Sequence, residues 1–388
     1  MYISYIKNNY LTNFSKNILA GLVTAIALLP EVSGFALIAG VPPLYAIFSS
    51  AITLVVLSIF GGRPAMVSAA AGSIALLLTD IIAKHGMAYM ILATLLAGII
   101  QLIFGLINVH KLIEYLPKSV MQGFVNALAI MILIAQLQQI PHQSLASIIM
   151  IVISIMSMYI LPRWFIKIPP ALIIMTISIV IAILFKGFFE NIGTLANNST
   201  INPHLGLPGI PLNLHTLFII LPTSLGIAVV GLIESLLTIP LIDDMTKTNS
   251  NSKQESIGQG IGNVITSLLG GQGGCAMIGQ SVMNVQSGGR TRLSTLSSGI
   301  VLFVFVFVLK NLMLAIPTAS LIGIMITVSI ATFDWHSIAL NKNIKIADLT
   351  VMILTVLVVV MTHNLAIGVF SGIILSIIYR YIFHIKVA

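Results

Sequence analysis

Two carboxylates stand where a carboxylate is hard to keep. Glu31 lies in the apolar stretch Ala25 to Ala39 and Glu234 in Ile227 to Ile242, settings in which a charge costs about 2.5–3.5 kcal/mol on insertion scales. A role in ion handling is the default reading for such groups; a protonated, hydrogen-bonded packing role is the alternative. Thr238 follows Glu234 by four residues and shares its helix face, with Gly231 and Ser235 beside them. Together they offer hard oxygens to a small cation such as sodium, or a proton acceptor with an orienting hydroxyl. Two small-residue stretches complete the chemistry. Ser68-Ala69-Ala70-Ala71-Gly72-Ser73 and Gly273-Gly274-Cys275-Ala276-Met277-Ile278-Gly279-Gln280-Ser281 each lead into a short helix. Such starts expose amide N–H groups at the positive end of the macrodipole, and two meeting at mid-membrane would bind an anion without a basic side chain. Tight helix packing through small residues is the competing account.

The elements that position these residues follow from composition. Of 388 residues, 58% are apolar and 7% charged, against about 25% charged in soluble domains. Runs such as Ala51 to Phe60 and Val301 to Leu309 are apolar all round, which excludes the alternation of a membrane barrel and leaves helices. Fourteen segments are predicted, centred near residues 27, 51, 75, 97, 127, 153, 177, 228, 262, 282, 301, 322, 353 and 374. With both termini cytoplasmic, 15 of the 18 Lys and Arg fall inside, and only Lys84, Lys186 and Lys310 outside. Membrane insertion accounts for the net charge of +8, and no nucleic-acid partner is expected. The polar stretch from Gly187 to His215 separates seven segments from seven, so the expected organisation is a first repeat over 1–188, an extracellular linker over 189–214 and a second repeat over 215–388. An odd number of spans per repeat makes the repeat inverted. Glu31 precedes its small-residue stretch by 37 residues and Glu234 precedes Ala276 by 42, a shared layout.

Other chemistries are poorly served. The run Gly270-Gly271-Gln272-Gly273-Gly274 has no following Lys-Ser or Lys-Thr, so a phosphate loop is not expected. The eight histidines lack metal-ligand spacing. The single cysteine, Cys275, allows no disulfide within the chain; a thiol at a helix start could have a lowered pKa, with small-residue packing the simpler role. Glu234 and Asp243 would lie about 13.5 Å apart along a straight helix, too far for paired acid–base work, so no enzyme is expected. The remaining acids, Asp80, Glu114, Glu190, Asp243, Asp244, Glu255, Asp334 and Asp348, are expected at helix ends within reach of water.

Several motifs in order resemble one family: Glu234-Ser235-Leu236-Leu237-Thr238, Asp244-Met245-Thr246, Gln254-Glu255 with Gly258-Gln259-Gly260 and Asn263, and Cys275 to Leu293 ending Gly288-Gly289-Arg290-Thr291-Arg292. Leu29-Pro30-Glu31 and the stretch Phe35 to Pro43 agree. They are similar to the signature of SulP-type inorganic anion transporters over nearly the whole chain. The resemblance implies an all-α polytopic fold of two inverted repeats of seven segments, a core and a gate domain moving like an elevator, and half-helices at segments 3 and 10. It implies an anion site at which Ala69, Ala70, Ala71, Ala276, Met277, Ile278 and Gly279 present backbone and Phe35 lines the cavity, with Glu31 and Glu234 tied to proton or sodium coupling. Gln280 stands where many eukaryotic relatives carry arginine. A sodium ion near Glu234 and Thr238, as co-substrate, would replace that charge. Because ionic self-energy grows with charge squared, the site then favours bicarbonate over sulfate. Gly274 to Ser281 also resembles the sodium-dependent bicarbonate branch. The expected function is sodium-coupled bicarbonate uptake across a bacterial cytoplasmic membrane without other cofactors; proton-coupled sulfate symport is the alternative, and a channel a third. The C-terminal STAS domain typical of the family is expected to be absent, which leaves a homodimer open.

Overall fold

The structure, a computed structural model, describes residues 10–113, 116–165, 168–185, 187–195, 206–337 and 346–381. Among them are fourteen helices of nine residues or more: α1 Phe14–Ala39, α2 Pro43–Phe60, α3 Gly72–His85, α4 Met87–Leu106, α5 Lys118–Leu137, α6 Leu145–Ile160, α7 Pro170–Leu184, α8 Leu214–Thr246, α9 Ser252–Leu268, α10 Ile278–Gln286, α11 Arg292–Phe307, α12 Thr318–Thr332, α13 Ile346–Thr362 and α14 Leu365–Tyr381. Each predicted segment centre falls within one of them. Glu114 lies outside the described residues.

Six helices, α1, α2, α4, α5, α8 and one running through α6 to Arg163, are long and apolar enough to cross a bilayer. At 1.5 Å per residue, α3 and α10 reach only about 21 Å and 13.5 Å, short of a hydrocarbon core of about 30 Å. Each is preceded instead by a two-residue strand, β1 Ser68–Ala69 before α3 and β2 Cys275–Ala276 before α10. The strands pair antiparallel, Ser68 opposite Ala276 and Ala69 opposite Cys275. Backbone that leaves a helix at membrane depth must find other partners, and this pairing supplies them.

Local sequence explains the breaks. Gly40 ends α1 with φ 74°, while the Gly40 and Val41 amides return to the carbonyls of Leu37 and Ala36, a Schellman stop that only glycine adopts without strain. Pro43 then opens α2 at its first helical position, where the missing N–H costs nothing. Close helix approach is set by small residues. At Gly98 on α4 an added Cβ would sit 2.8 Å from the Gly260 carbonyl, and at Gly260 on α9 the same distance from the Gly98 carbonyl, so this crossing tolerates no side chain on either partner.

The chain divides into two compact units, one of residues Met1–His110 with Gln143–Ile324 and the other of Lys111–His142 with Met325–Ala388. Every predicted site residue belongs to the first. In the second, α5 packs on α13, and the Asn126 amide joins the turn after α12 by donating to Ser337 at 2.7 Å and accepting from the Asp334 amide at 2.8 Å.

One expectation fails here. Glu255 is not near water but fully buried. Its Oε2 accepts from the Gly62 amide at 2.7 Å and the Arg63 amide at 3.1 Å, and its Oε1 from Gln259 at 2.9 Å. The reason is the Gly61–Arg63 turn between α2 and β1, whose free amides need an acceptor. Arg63 is likewise buried and binds Asp243 at 2.8 Å, and Arg292 donates to the Ser58 and Gly61 carbonyls at the end of α2.

Candidate anion and coupling site

The site assembles around the β1–β2 pair. Glu234 sits midway along α8, a 33-residue helix, and is 8% exposed. Its carboxylate does not point at lipid. Oε2 accepts from the Ser73 hydroxyl on α3 and from the Cys275 thiol of β2 at 3.2 Å. The carboxyl of the second half thus closes on the half-helix of the first. Cys275 is buried and bonded, a small polar packing residue and not an exposed thiol.

Thr238 is fully buried one turn on. Its hydroxyl donates to the Glu234 backbone carbonyl at 2.8 Å, so its lone pairs, and not its proton, remain for a neighbour. Ser235, which the sequence places beside Glu234 and Thr238 without a role of its own, accepts at its Oγ from the Ala276 amide at 3.1 Å. Ser50 does the same for Ala70 at 3.0 Å, and Val67 O accepts from Met277 at 2.9 Å. Three of the amides expected to face an anion, at Ala70, Ala276 and Met277, are therefore occupied, because strand pairing and serines satisfy them first. Ala69 is buried within the pair itself.

The donors left are those of the first helical turns. Neither α3, entered from Ala71, nor α10, entered from Met277, has a side-chain cap. The first amides engaged in helical bonding are Ala75, to Ala71 O, and Ser281, to Met277 O. Gly72 to Ile74 and Ile278 to Gln280 precede them, and a helix start of this kind holds anions. Around α3 every residue from Ser68 to Ile74 is buried, whereas at α10 Gly279 is exposed and Ile278 partly so. A Cβ added to Gly279 would meet nothing within 4 Å.

Glu31 and Phe35 complete the arrangement from α1. Glu31, partly exposed, pairs with the Gln280 side chain at the third position of α10. Phe35, one turn further on, is 4% exposed. The two acids are therefore crossed: Glu31 of the first half meets the α10 start, and Glu234 of the second half meets the α3 start. Gly274 allows the crossing, since a Cβ there would fall 2.6 Å from the Ala69 carbonyl. Among the described residues no group of three or more His, Cys, Asp or Glu could hold a metal ion.

Comparison with known proteins bears on the fold and the family. The chain is 44% identical over 374 residues to the putative sulfate transporter YbaR of Bacillus subtilis, covering 96% of this chain and 78% of that one. It is 30% identical over 352 residues to the bicarbonate transporter BicA of Synechocystis, covering 82% of this chain and 62% of that one. The solved transmembrane domain of a cyanobacterial bicarbonate transporter BicA superposes with a TM-score of 0.81 at 26% identity, over 94% of this chain and 98% of that one. The sulfate permease family model matches residues 14–146 and 138–355, and this multi-pass helical membrane protein belongs to that family.

Proposed function

We propose that the chain takes up bicarbonate together with sodium by alternating access, an elevator movement, in a bacterial cytoplasmic membrane. The protein is a transporter and not an enzyme, as its family implies. The observation that carries the reading is the Glu234 carboxylate held between the two uncapped helix starts by Ser73 and Cys275. The anion sits at the first turn of α10, at Ile278, Gly279 and Gln280, with Phe35 opposite. The cation sits at Glu234 and Thr238, where a carboxylate and the lone pairs of a hydroxyl offer oxygens. Glu31 tunes the field at the anion. With no basic side chain among these groups, the site offers dipoles and one bound cation, a complement suited to a single negative charge.

Proton-coupled sulfate symport is the second reading, favoured by the 44% identity to a putative sulfate transporter. Labelled bicarbonate and sulfate uptake into proteoliposomes, with and without a sodium gradient, separates the two. Bicarbonate entry that rises with inward sodium is expected. Sulfate entry driven by external acid and indifferent to sodium would replace the first reading with the second.

A further inference from the structure

Next to β2, one side chain takes the place of a strand. Asn263 of α9 is buried, and its amide meets both backbone groups of Gly274: Oδ1 accepts from the Gly274 N–H at 2.9 Å, and Nδ2 donates to the Gly274 carbonyl at 3.2 Å. This is the exchange that a hydrogen-bonded residue pair makes in an antiparallel ladder. Because a backbone N–H can only donate, it fixes which end of the side chain is oxygen. Nδ2 also donates to Gln101 Oε1 on α4 at 2.8 Å, and the buried Gln101 donates in turn from Nε2 to the Ala228 carbonyl of α8 at 3.5 Å. Gly231 gives room for this approach, since a Cβ there would lie 3.1 Å from Gln101 Nε2 and 3.4 Å from Cys275 Cβ. From Gly274 the chain passes at once to Cys275, whose thiol donates to Glu234 on the same α8. The contacts form a closed ring that leaves α8 at Ala228 and returns to it at Glu234.

We propose that Asn263 is a positioning residue for the coupling carboxylate: it holds Gly274, and through it the Cys275 thiol, where Glu234 is oriented for a cation. This inference rests on the reading of Glu234 as a sodium ligand and adds the residue that aims it. Replacing Asn263 by an apolar side chain removes the acceptor of the Gly274 amide and the donor to Gln101 Oε1, and buried groups that lose a partner drive local rearrangement. The residues after Cys275 have anchors of their own, because the Ala276 amide goes to Ser235 and the Met277 amide to Val67 O. A shift at Gly274 therefore falls on Cys275 and Glu234 before it reaches the α10 start. Cation affinity should change more than anion affinity.

The experiment measures labelled bicarbonate uptake by the full chain in proteoliposomes over a range of sodium concentrations, in wild type, Asn263→Leu and Gly123→Ala. Gly123→Ala is the reference for a purely structural loss: its Cβ would lie 2.7 Å from Thr355 Cβ between α5 and α13, in the unit that holds none of these groups. Asn263→Leu is expected to raise the half-saturating sodium concentration about tenfold or more, with bicarbonate KM at saturating sodium within about twofold of wild type. Gly123→Ala should lower only the maximal rate. An Asn263→Leu protein that loses maximal rate with half-saturating sodium unchanged would overturn the proposal while leaving sodium coupling standing. Wild-type uptake indifferent to sodium would sink the coupling reading and this inference with it. If Asn263→Leu yields no protein, Gln101→Met decides, since it removes one link of the ring: half-saturating sodium should rise about threefold, and no rise overturns the proposal.

Discussion

The two helix starts are built to one plan and finished differently. At α3 the entry residues are buried, and Ser73 is spent on Glu234, which also takes the Cys275 thiol. At α10 the entry opens at Gly279, and the acid that approaches, Glu31, is itself partly exposed. One start is sealed around a carboxylate and the other stays accessible beside one. A repeated motif therefore need not have repeated surroundings: the same uncapped turn is closed over at α3 and left open at α10.

The largest effect expected from breaking this contrast is at the sealed start. Glu234→Ala leaves Ser73 and Cys275 without their acceptor and removes the proposed cation ligand, so uptake in proteoliposomes should fall at least about 100-fold. Glu234→Gln, which keeps an acceptor, should restore thermal stability without restoring uptake; recovered uptake would argue that the charge is not needed. Next comes the crossing. Gly274→Ala forces a methyl onto the Ala69 carbonyl and should lower stability by about 1–3 kcal/mol, read as a drop in the detergent melting temperature, whereas Gly279→Ala should leave that temperature nearly unchanged because its Cβ enters open space. Equal losses at the two glycines would erase the distinction between the starts. A bulkier Gly279→Phe should keep the fold and cut uptake by about tenfold or more if the space is where the anion sits. Ser235→Ala, which strips the acceptor from the Ala276 amide, is expected to cost about 1–2 kcal/mol of stability. The smallest change should come from Glu31→Gln, a shift in KM of a few-fold with the fold intact.

Much of the frame was legible in the chain. Apolar length places all fourteen helices, since that signal is local and repeated. The two acids were legible because an apolar span makes a charge conspicuous. The free amides were not. Which N–H groups remain open depends on β1 meeting β2 and on Ser50 and Ser235 reaching across from other helices, and a serine in a membrane span gives no sign of which backbone it will serve. Glu255 misled for a related reason: it stands in the first turn of α9, where exposure is the usual expectation, but the Gly61–Arg63 turn from the other half folds over it.

The pairing of Ser68 with Ala276 joins residues about 200 positions apart. During synthesis the first half must therefore wait in the bilayer with its β1 edge unmatched, because the segment that completes it emerges only after α8 and α9. Contacts of such long range are slow to form and expose unpaired backbone meanwhile. Biogenesis of this protein thus has a natural checkpoint at Cys275–Ala276, the piece whose arrival closes the β1 edge.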